Sequence, residues 1–306
     1  MNIALRFDSG IGDHLLSNRF AYAIKDKYPD SKLFMYSDEN GDASKAELMG
    51  KLFPIYEKIE VMPKRNMDFK IKTQFGEENY HLHADNVAQE YKDKFAAADK
   101  YYNLCLDNME WLDHDYDWRR YYNWFPKPNA ITPSKAYTLP EQFIMVHLYP
   151  RPNCVYSVEQ WYAVQLIKKL ATVLPVVVIT MDQHKSWYKE VEGIFNVHVL
   201  TPNMLDVFYI ASKCTMFFGV DSSVRYSPLH YGKPTYVFSN QSSAPQQALP
   251  LHQIRWLLSN VNVFPLNYNS GDVVRIAKQT LEFPATSLFP MISGNLDQIL
   301  LRRRKI

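Results

Sequence analysis

Residues 215–239 constrain the fold more than any other stretch of this chain. An apolar run, 215–220, ends in Val220-Asp221-Ser222-Ser223, and a short helix-compatible segment follows through Val224-Arg225-Tyr226 to His230. Gly232-Lys233-Pro234 then opens a second apolar run, 235–239. Strand, polar turn, helix and strand in that order form the unit whose turn and helix N-terminus aim backbone N–H groups at a phosphate. The same residues also suit plain capping, because Asp and Ser cap helices in many α/β units that hold no ligand. A second glycine-bearing turn, Asp8-Ser9-Gly10-Ile11-Gly12-Asp13, follows the first apolar run of the chain.

The alternation of strand and helix patterns occurs twice. In the first half, strands are expected over 2–7, 32–37, 58–62 and 101–106, with a helix over 15–28. The stretches 63–100 and 107–133 carry aromatic and charged residues without a clean period, as excursions from a Rossmann-like half often do. In the second half, strands are expected over 143–148, 175–181 and 197–200. Helices are expected over 158–174, 186–195, 204–213, 271–281 and 295–304. The 158–174 helix would set Trp161, Val164, Ile167, Ala171 and Leu174 on one face. A length of 306 residues suits two domains. The polar, proline-punctuated segment 131–141 is the natural join. The expected division is therefore 1–136 and 137–290, with a closing helix in 291–306 packing back toward the first half. The whole is α/β: two Rossmann-like domains facing across a cleft.

Bulk properties narrow the setting. A formal charge of +2 neither demands nor excludes an anionic partner. The three cysteines, Cys105, Cys154 and Cys214, are far apart and form no CxxC, which implies a reducing compartment. No apolar run approaches the ~18–20 residues of a membrane span, and the N-terminus shows no signal-peptide pattern. The expectation is a cytoplasmic protein without a transmembrane segment.

Taken together, these residues resemble the GT-B glycosyltransferases, and among them the ADP-heptose:lipopolysaccharide heptosyltransferase family. Ile11-Gly12-Asp13, followed by a helix and a Tyr-Pro-Asp turn, matches that family's N-terminal Gly-Asp element. The segment Tyr156 to Trp161 stands where the family begins its first C-domain helix with Trp-Pro. Val220 to Ser223, read through to Pro234, matches the donor-site signature in spacing. The departures are specific. The family's glycine after Asp-Ser/Thr is Ser223 here, its histidine three positions on is Tyr226, and its phosphate-contacting lysine falls at Cys154. Arg151 is the nearest remaining cation.

The resemblance implies a metal-independent, inverting transfer from a nucleotide-diphosphate sugar, which acts as co-substrate with no further cofactor. Charge on the departing diphosphate is met by helix N-terminal amides and cations. The donor-binding candidates are Asp221, Ser222, Ser223, Arg151, Arg225 and Tyr226. Asp13 is the implied general base, with Asp8 as a local rival, and Gly12, His14, Arg119 and Arg120 are placed beside the acceptor. Each assignment has a plainer alternative. Asp13 suits an N-cap for a helix beginning at Leu15, Asp221 and Ser222 suit caps, Arg151 suits a solvated loop, and Tyr226 suits packing. His81 and His83 read as a surface pair rather than metal ligands. His147 ends its strand at the cleft side and suits either core or ligand contact. A saccharide or lipopolysaccharide-type glycan is the leading acceptor. The aromatic-basic run Trp118 to Trp124, with Lys64-Arg65 and the basic tail at Arg302, also fits DNA carrying a hydroxymethylated base. A non-catalytic nucleotide-sugar-binding module is the third reading.

Overall fold

The computed structural model describes residues 1–7, 10–39, 43–63, 69–73, 76–80, 89–104, 124–150, 157–239, 262–266 and 268–282. The chain divides into two compact units, Met1–Tyr121 and Tyr122–Ile306. The expected closing helix at 295–304 lies outside the described residues.

The first unit is built on a four-stranded parallel sheet with the order β3-β2-β1-β6. From β1 (Asn2–Phe7), α1 (Ile11–Lys27) crosses to β2 (Lys32–Glu39), and α2 (Ser44–Leu52) crosses to β3 (Tyr56–Pro63). A short antiparallel pair, β4 (Phe69–Thr73) and β5 (Gly76–Tyr80), interrupts the winding. Helix α3 (Gln89–Ala97) then returns the chain to β6 (Lys100–Asn103), on the far side of β1. The direction of winding therefore reverses between β1 and β6.

The second unit carries a six-stranded parallel sheet, β12-β11-β10-β7-β8-β9. Its chain order is β7 (Ile144–His147), α4 (Gln160–Leu170), β8 (Val176–Ile179), β9 (Val197–Leu200), α5 (Met204–Lys213) and β10 (Met216–Val220). Then come α6 (Tyr226–Leu229), β11 (Thr235–Ser239), β12 (Asn262–Pro265) and α7 (Ser270–Glu282). Strands β7, β8, β10 and β11 are buried along their whole length. Unbroken apolar runs such as 176–179 are what a parallel strand covered on both faces requires. On one face, Ile144, Val146, Val178 and Phe218 pack against α4 and α7; on the other, Met145, Val177, Ile179 and Phe217 pack against α5. Phe218, Tyr236 and Phe264 stack in turn across β10, β11 and β12, with centroids 4.6 and 6.0 Å apart.

Three local expectations differ from the structure. In α4 the buried arc is Tyr162, Ala163, Val164, Leu166, Ile167 and Leu170, so Val164 and Ile167 lie on it as expected, but Trp161 is 61% exposed, its indole N–H donated to Glu159. Residues 163, 166, 167 and 170 repeat at i, i+3, i+4 and i+7, so their arc meets the sheet and position 161 falls outside it. The helix expected over 186–195 is a 3-10 segment, Asp182–Tyr188, followed by turns. Gly193, inside the expected span, has φ 85°, a left-handed backbone that no right-handed helix can contain, and Asn196 at φ 67° follows just beyond it. The pair β4–β5 and the edge strand β12 were not read from the sequence at all.

The division at Tyr121/Tyr122 precedes the expected join at 136/137, because residues 124–142 are fastened to the second unit. The imidazole Nδ1–H of His230 donates to the Pro126 carbonyl at 2.7 Å. Asp206, fully buried in the first turn of α5, accepts the Ser134 N–H and the Tyr137 hydroxyl, each at 2.8 Å, together with the Ser134 hydroxyl. Burial alone would raise the Asp206 pKa, but these hydrogen bonds outweigh it and hold the carboxyl below the usual range. Among the described residues, no helix is long and apolar enough to cross a membrane.

A carboxyl whose folded pKa is lowered stabilises the fold above its unfolded pKa and loses that contribution as pH falls through the folded value. Asp206→Asn should therefore cost about 2–3 kcal/mol near neutrality, through lost charge-assisted hydrogen bonds. In chemical denaturation the gap from wild type should narrow below about pH 4. A gap independent of pH would show that the carboxylate charge is not what holds the segment.

Candidate active site

In open α/β sheets, ligands bind at the carboxyl ends of strands where the winding reverses. In the second unit that point lies between β7 and β10, which pair in parallel with Gly219 opposite His147. The two backbones approach closely there. A Cβ on Gly219 would stand 2.9 Å from the His147 carbonyl oxygen and 2.3 Å from the Phe217 ring, so only glycine fits. The loop after β7 leads to the N-terminus of α4, and the loop after β10 leads into the Asp221 turn.

The helical segment after that turn is short, as the sequence suggested. A three-residue 3-10 turn, Ser223–Arg225, is followed by the four-residue helix α6. So short a helix has little macrodipole, and the eleven-residue α4 is the longer helix opening on this reversal. The N-cap residue of α4, Glu159, makes no side-chain capping bond to the backbone N–H groups of its helix; its carboxylate accepts the Trp161 indole N–H instead. Ser157 lies two residues before it, and Ser222 begins the β10 turn in extended conformation. The hydroxyls of both are buried and have no hydrogen-bond partner among the described residues.

Arg225 is 0% exposed. Its Nη1 stands 3.2 Å from a carboxylate oxygen of Asp221, whose side chain is 10% exposed. Its Nη2 donates to the Tyr226 hydroxyl at 2.6 Å, and its guanidinium lies 4.7 Å from the centroid of the same ring. Arg225 was expected to reach a donor phosphate directly. Complete burial prevents that here, and its charge acts on Asp221 and Tyr226 instead. Tyr226 is buried as well and serves as the platform for the guanidinium.

His147 sits at the last position of β7, with Nδ1 2.9 Å from the Ile179 carbonyl. A carbonyl only accepts, so Nδ1 carries the proton and Nε2 the lone pair. Burial, with a smaller push from nearby His184, brings the His147 pKa down to about 4, against the opposing Ile179 hydrogen bond. His184 itself is packed edge-on against Tyr149, which stacks on Trp187 at 4.6 Å. Its Nδ1 and the hydroxyl of Thr180, just past β8, are further buried polar atoms without partners.

In the first unit, α1 begins at Ile11, ahead of the expected start at Leu15, so Gly12 and Asp13 belong to its first turn. Asp13 accepts the Gly10 N–H at 3.1 Å and is 8% exposed. It closes the helix end from inside rather than as an N-cap. His14 was placed beside the acceptor, but it is fully buried, with Nδ1 3.1 Å from the Gly10 carbonyl and Nε2 2.7 Å from the Ser37 hydroxyl. Nδ1–H donates to Gly10, the Ser37 hydroxyl donates to Nε2, and the ring stacks on Phe7. His14 thus ties α1 to β1 and β2, and both of its nitrogens are engaged. Asp8, Arg151, Cys154, Arg119, Arg120, the His81/His83 pair, Lys64-Arg65 and the basic tail lie outside the described residues. Among the described residues, no three His, Cys, Asp or Glu side chains gather into a metal site.

Sequence reasoning missed Ser157, and it did not pair Arg225 with Asp221 although opposite charges four residues apart were visible.

The folded state resists protonation of His147, so it loses stability as pH falls from about 6.5 toward 4. His147→Asn keeps a donor for Ile179 but cannot titrate. It should flatten the stability profile across that window, as read by denaturation from pH 7 to 4. Direct titration of the His147 ring near 6.5 would contradict this environment.

No protein-family model matches the sequence, and no curated protein matches it. Solved structures do. The ADP-heptose lipopolysaccharide heptosyltransferase II of Escherichia coli superposes with a TM-score of 0.59 at 12% identity, covering 94% of this chain and 100% of that one. A family 9 glycosyl transferase from Veillonella parvula gives 0.57 at 11% identity, with 99% and 96% covered. The UDP-GlcNAc 2-epimerase of Methanocaldococcus jannaschii gives 0.50 at 8% identity, with 100% and 99% covered. At such identities the likeness is one of fold, and the fold is GT-B: two Rossmann-like α/β units in one chain.

Proposed function

We propose that this chain is a glycosyltransferase that moves a sugar from a nucleotide diphosphate to a hydroxyl of a saccharide or lipopolysaccharide-type glycan. The observation that carries the reading is the reversal point of the second unit. Two buried serine hydroxyls without partners, Ser157 and Ser222, stand on the two loops that flank it, beside the side-chain-uncapped N-terminus of α4. Buried hydroxyls left unpaired are costly, and a diphosphate supplies the oxygen acceptors that would satisfy them. Heptosyltransferases share the fold. An epimerase shares it too, so the fold alone does not choose the reaction.

In the proposed reaction the acceptor oxygen attacks the anomeric carbon from the face opposite the diphosphate. The bond from that carbon to the phosphate oxygen breaks, and its electron pair leaves with the diphosphate. The acceptor proton passes to the carboxylate of Asp13, and the anomeric configuration inverts. Amides at the start of α4 and the serine hydroxyls offset the charge on the leaving group, so the reaction is proposed to need no metal. Residues Gly12, Arg119 and Arg120 remain proposed for the acceptor, and Arg151 and Ser223 for the donor. The DNA reading rested on 118–124, where only Trp124 is described, and no observation favours it. A cytoplasmic setting fits the buried free thiol of Cys214.

Purified protein should release free nucleotide from one member of a panel of ADP-, UDP- and GDP-sugars, with full activity in excess EDTA. Asp13→Asn should cut turnover by ~10²–10⁴-fold while leaving donor affinity nearly intact. Epimerised sugar in place of free nucleotide would assign the fold's other chemistry. Binding without turnover would leave a nucleotide-sugar-binding module.

A further inference from the structure

We propose that Arg225 is the positioning residue of the donor site, holding Asp221 in place and cancelling its charge so that a diphosphate can approach the β10 turn. The inference rests on the donor reading above. Asp221 stands at the carboxyl end of β10, immediately before Ser222, whose hydroxyl is one of the two that a diphosphate would satisfy. A bare carboxylate there would repel a polyanion at short range, in a setting where water screens poorly. Arg225, 3.2 Å from Asp221 and wholly inside the protein, removes that repulsion without touching the ligand.

The residue type fits the task. A guanidinium stays charged at any pH the protein meets, and its planar fork reaches two partners at once. Here one arm faces Asp221 and the other donates to Tyr226, whose ring lies under the guanidinium plane. Lysine would carry the charge but could not fix both directions. Because Arg225 is fully buried, it acts on a ligand without contact, by offsetting the Asp221 charge and by holding the turn.

The test is calorimetric titration of wild type, R225M, R225K and the D221N/R225M double variant. The ligands are ADP, UDP and GDP and the matching uncharged nucleosides, with thermal melts to report folding. R225M should weaken the preferred diphosphate by on the order of 10–100-fold. The matching nucleoside should change by less than about threefold, because it carries no charge for Asp221 to repel. The double variant, which removes both charges, should recover diphosphate affinity to within about tenfold of wild type. R225K should fall between wild type and R225M. If R225M does not fold, R225K and the double variant decide the matter. A double variant that binds nucleoside normally but loses diphosphate by more than about 100-fold overturns the proposal. So does a folded R225M with unchanged diphosphate affinity, or an equal loss for nucleoside and diphosphate. A wild-type protein that binds none of the six ligands removes the donor reading and this inference together. Wild-type binding with an indifferent R225M removes this inference alone.

Discussion

A parallel strand covered on both faces has nowhere along its length to put a polar side chain, so polarity is driven to its ends. In the second unit this constraint places the chemistry. Strands β7, β8, β10 and β11 are buried throughout, and apart from Thr235 at the start of β11 their small polar residues and histidine are met at the carboxyl edge. His147 is the last residue of β7, Thr180 follows β8, Asp221 follows β10, and Ser239 ends β11. The first unit does the same with Ser37 near the end of β2 and Asn103 at the end of β6. Strand reversal then opens a gap at this edge between neighbours whose connections leave in opposite directions.

Polar groups at that edge fall into two kinds, separated by whether the protein answers them. His14 has both nitrogens engaged, Asp206 accepts three hydrogen bonds, and the Arg225 guanidinium lies between Asp221 and Tyr226. These hold segments together, and their removal would leave partners buried and unpaired, at about 1–3 kcal/mol each. Ser157 and Ser222, like Thr180 and His184, have polar atoms that no described residue answers. Native interiors rarely leave such atoms without a partner, which is why the proposed donor site is set on the two serines rather than on a charged residue nearby.

Much of the fold was legible, because apolar runs with few polar interruptions read directly as parallel strands. Strand 2–7, strand 197–200, helix 204–213 and strand 235–239 agree with the structure to the residue. The helix expected over 186–195 failed for a local reason, the left-handed backbone of Gly193, which periodicity does not weigh. Trp161 was misplaced because the i, i+3 series from 161 starts on the far side of the arc that 163, 166, 167 and 170 bury. At the candidate site, the strand and turn that carry Asp221 and Ser222 were legible from the spacing. The individual roles were not, since a sequence shows that Arg225 is charged but not that it is buried. The burial of His14 was hidden in the same way: proximity to a glycine turn does not reveal a hydroxyl on the neighbouring strand.

The departures from the heptosyltransferase pattern become intelligible together. Glycine is demanded where φ is positive or where another backbone crowds the Cβ. Among the described residues the only non-glycine with positive φ is Asn196, so Ser223 occupies its turn without backbone strain. Tyrosine at 226, where the family has histidine, supplies both a ring face and a hydroxyl to Arg225. Imidazole would be shorter and would compete for a proton. Tyr226 therefore suits Arg225, setting a ring face and a hydroxyl against a guanidinium that keeps its charge at any pH the protein meets, where a histidine would bring a second titrating group into the turn.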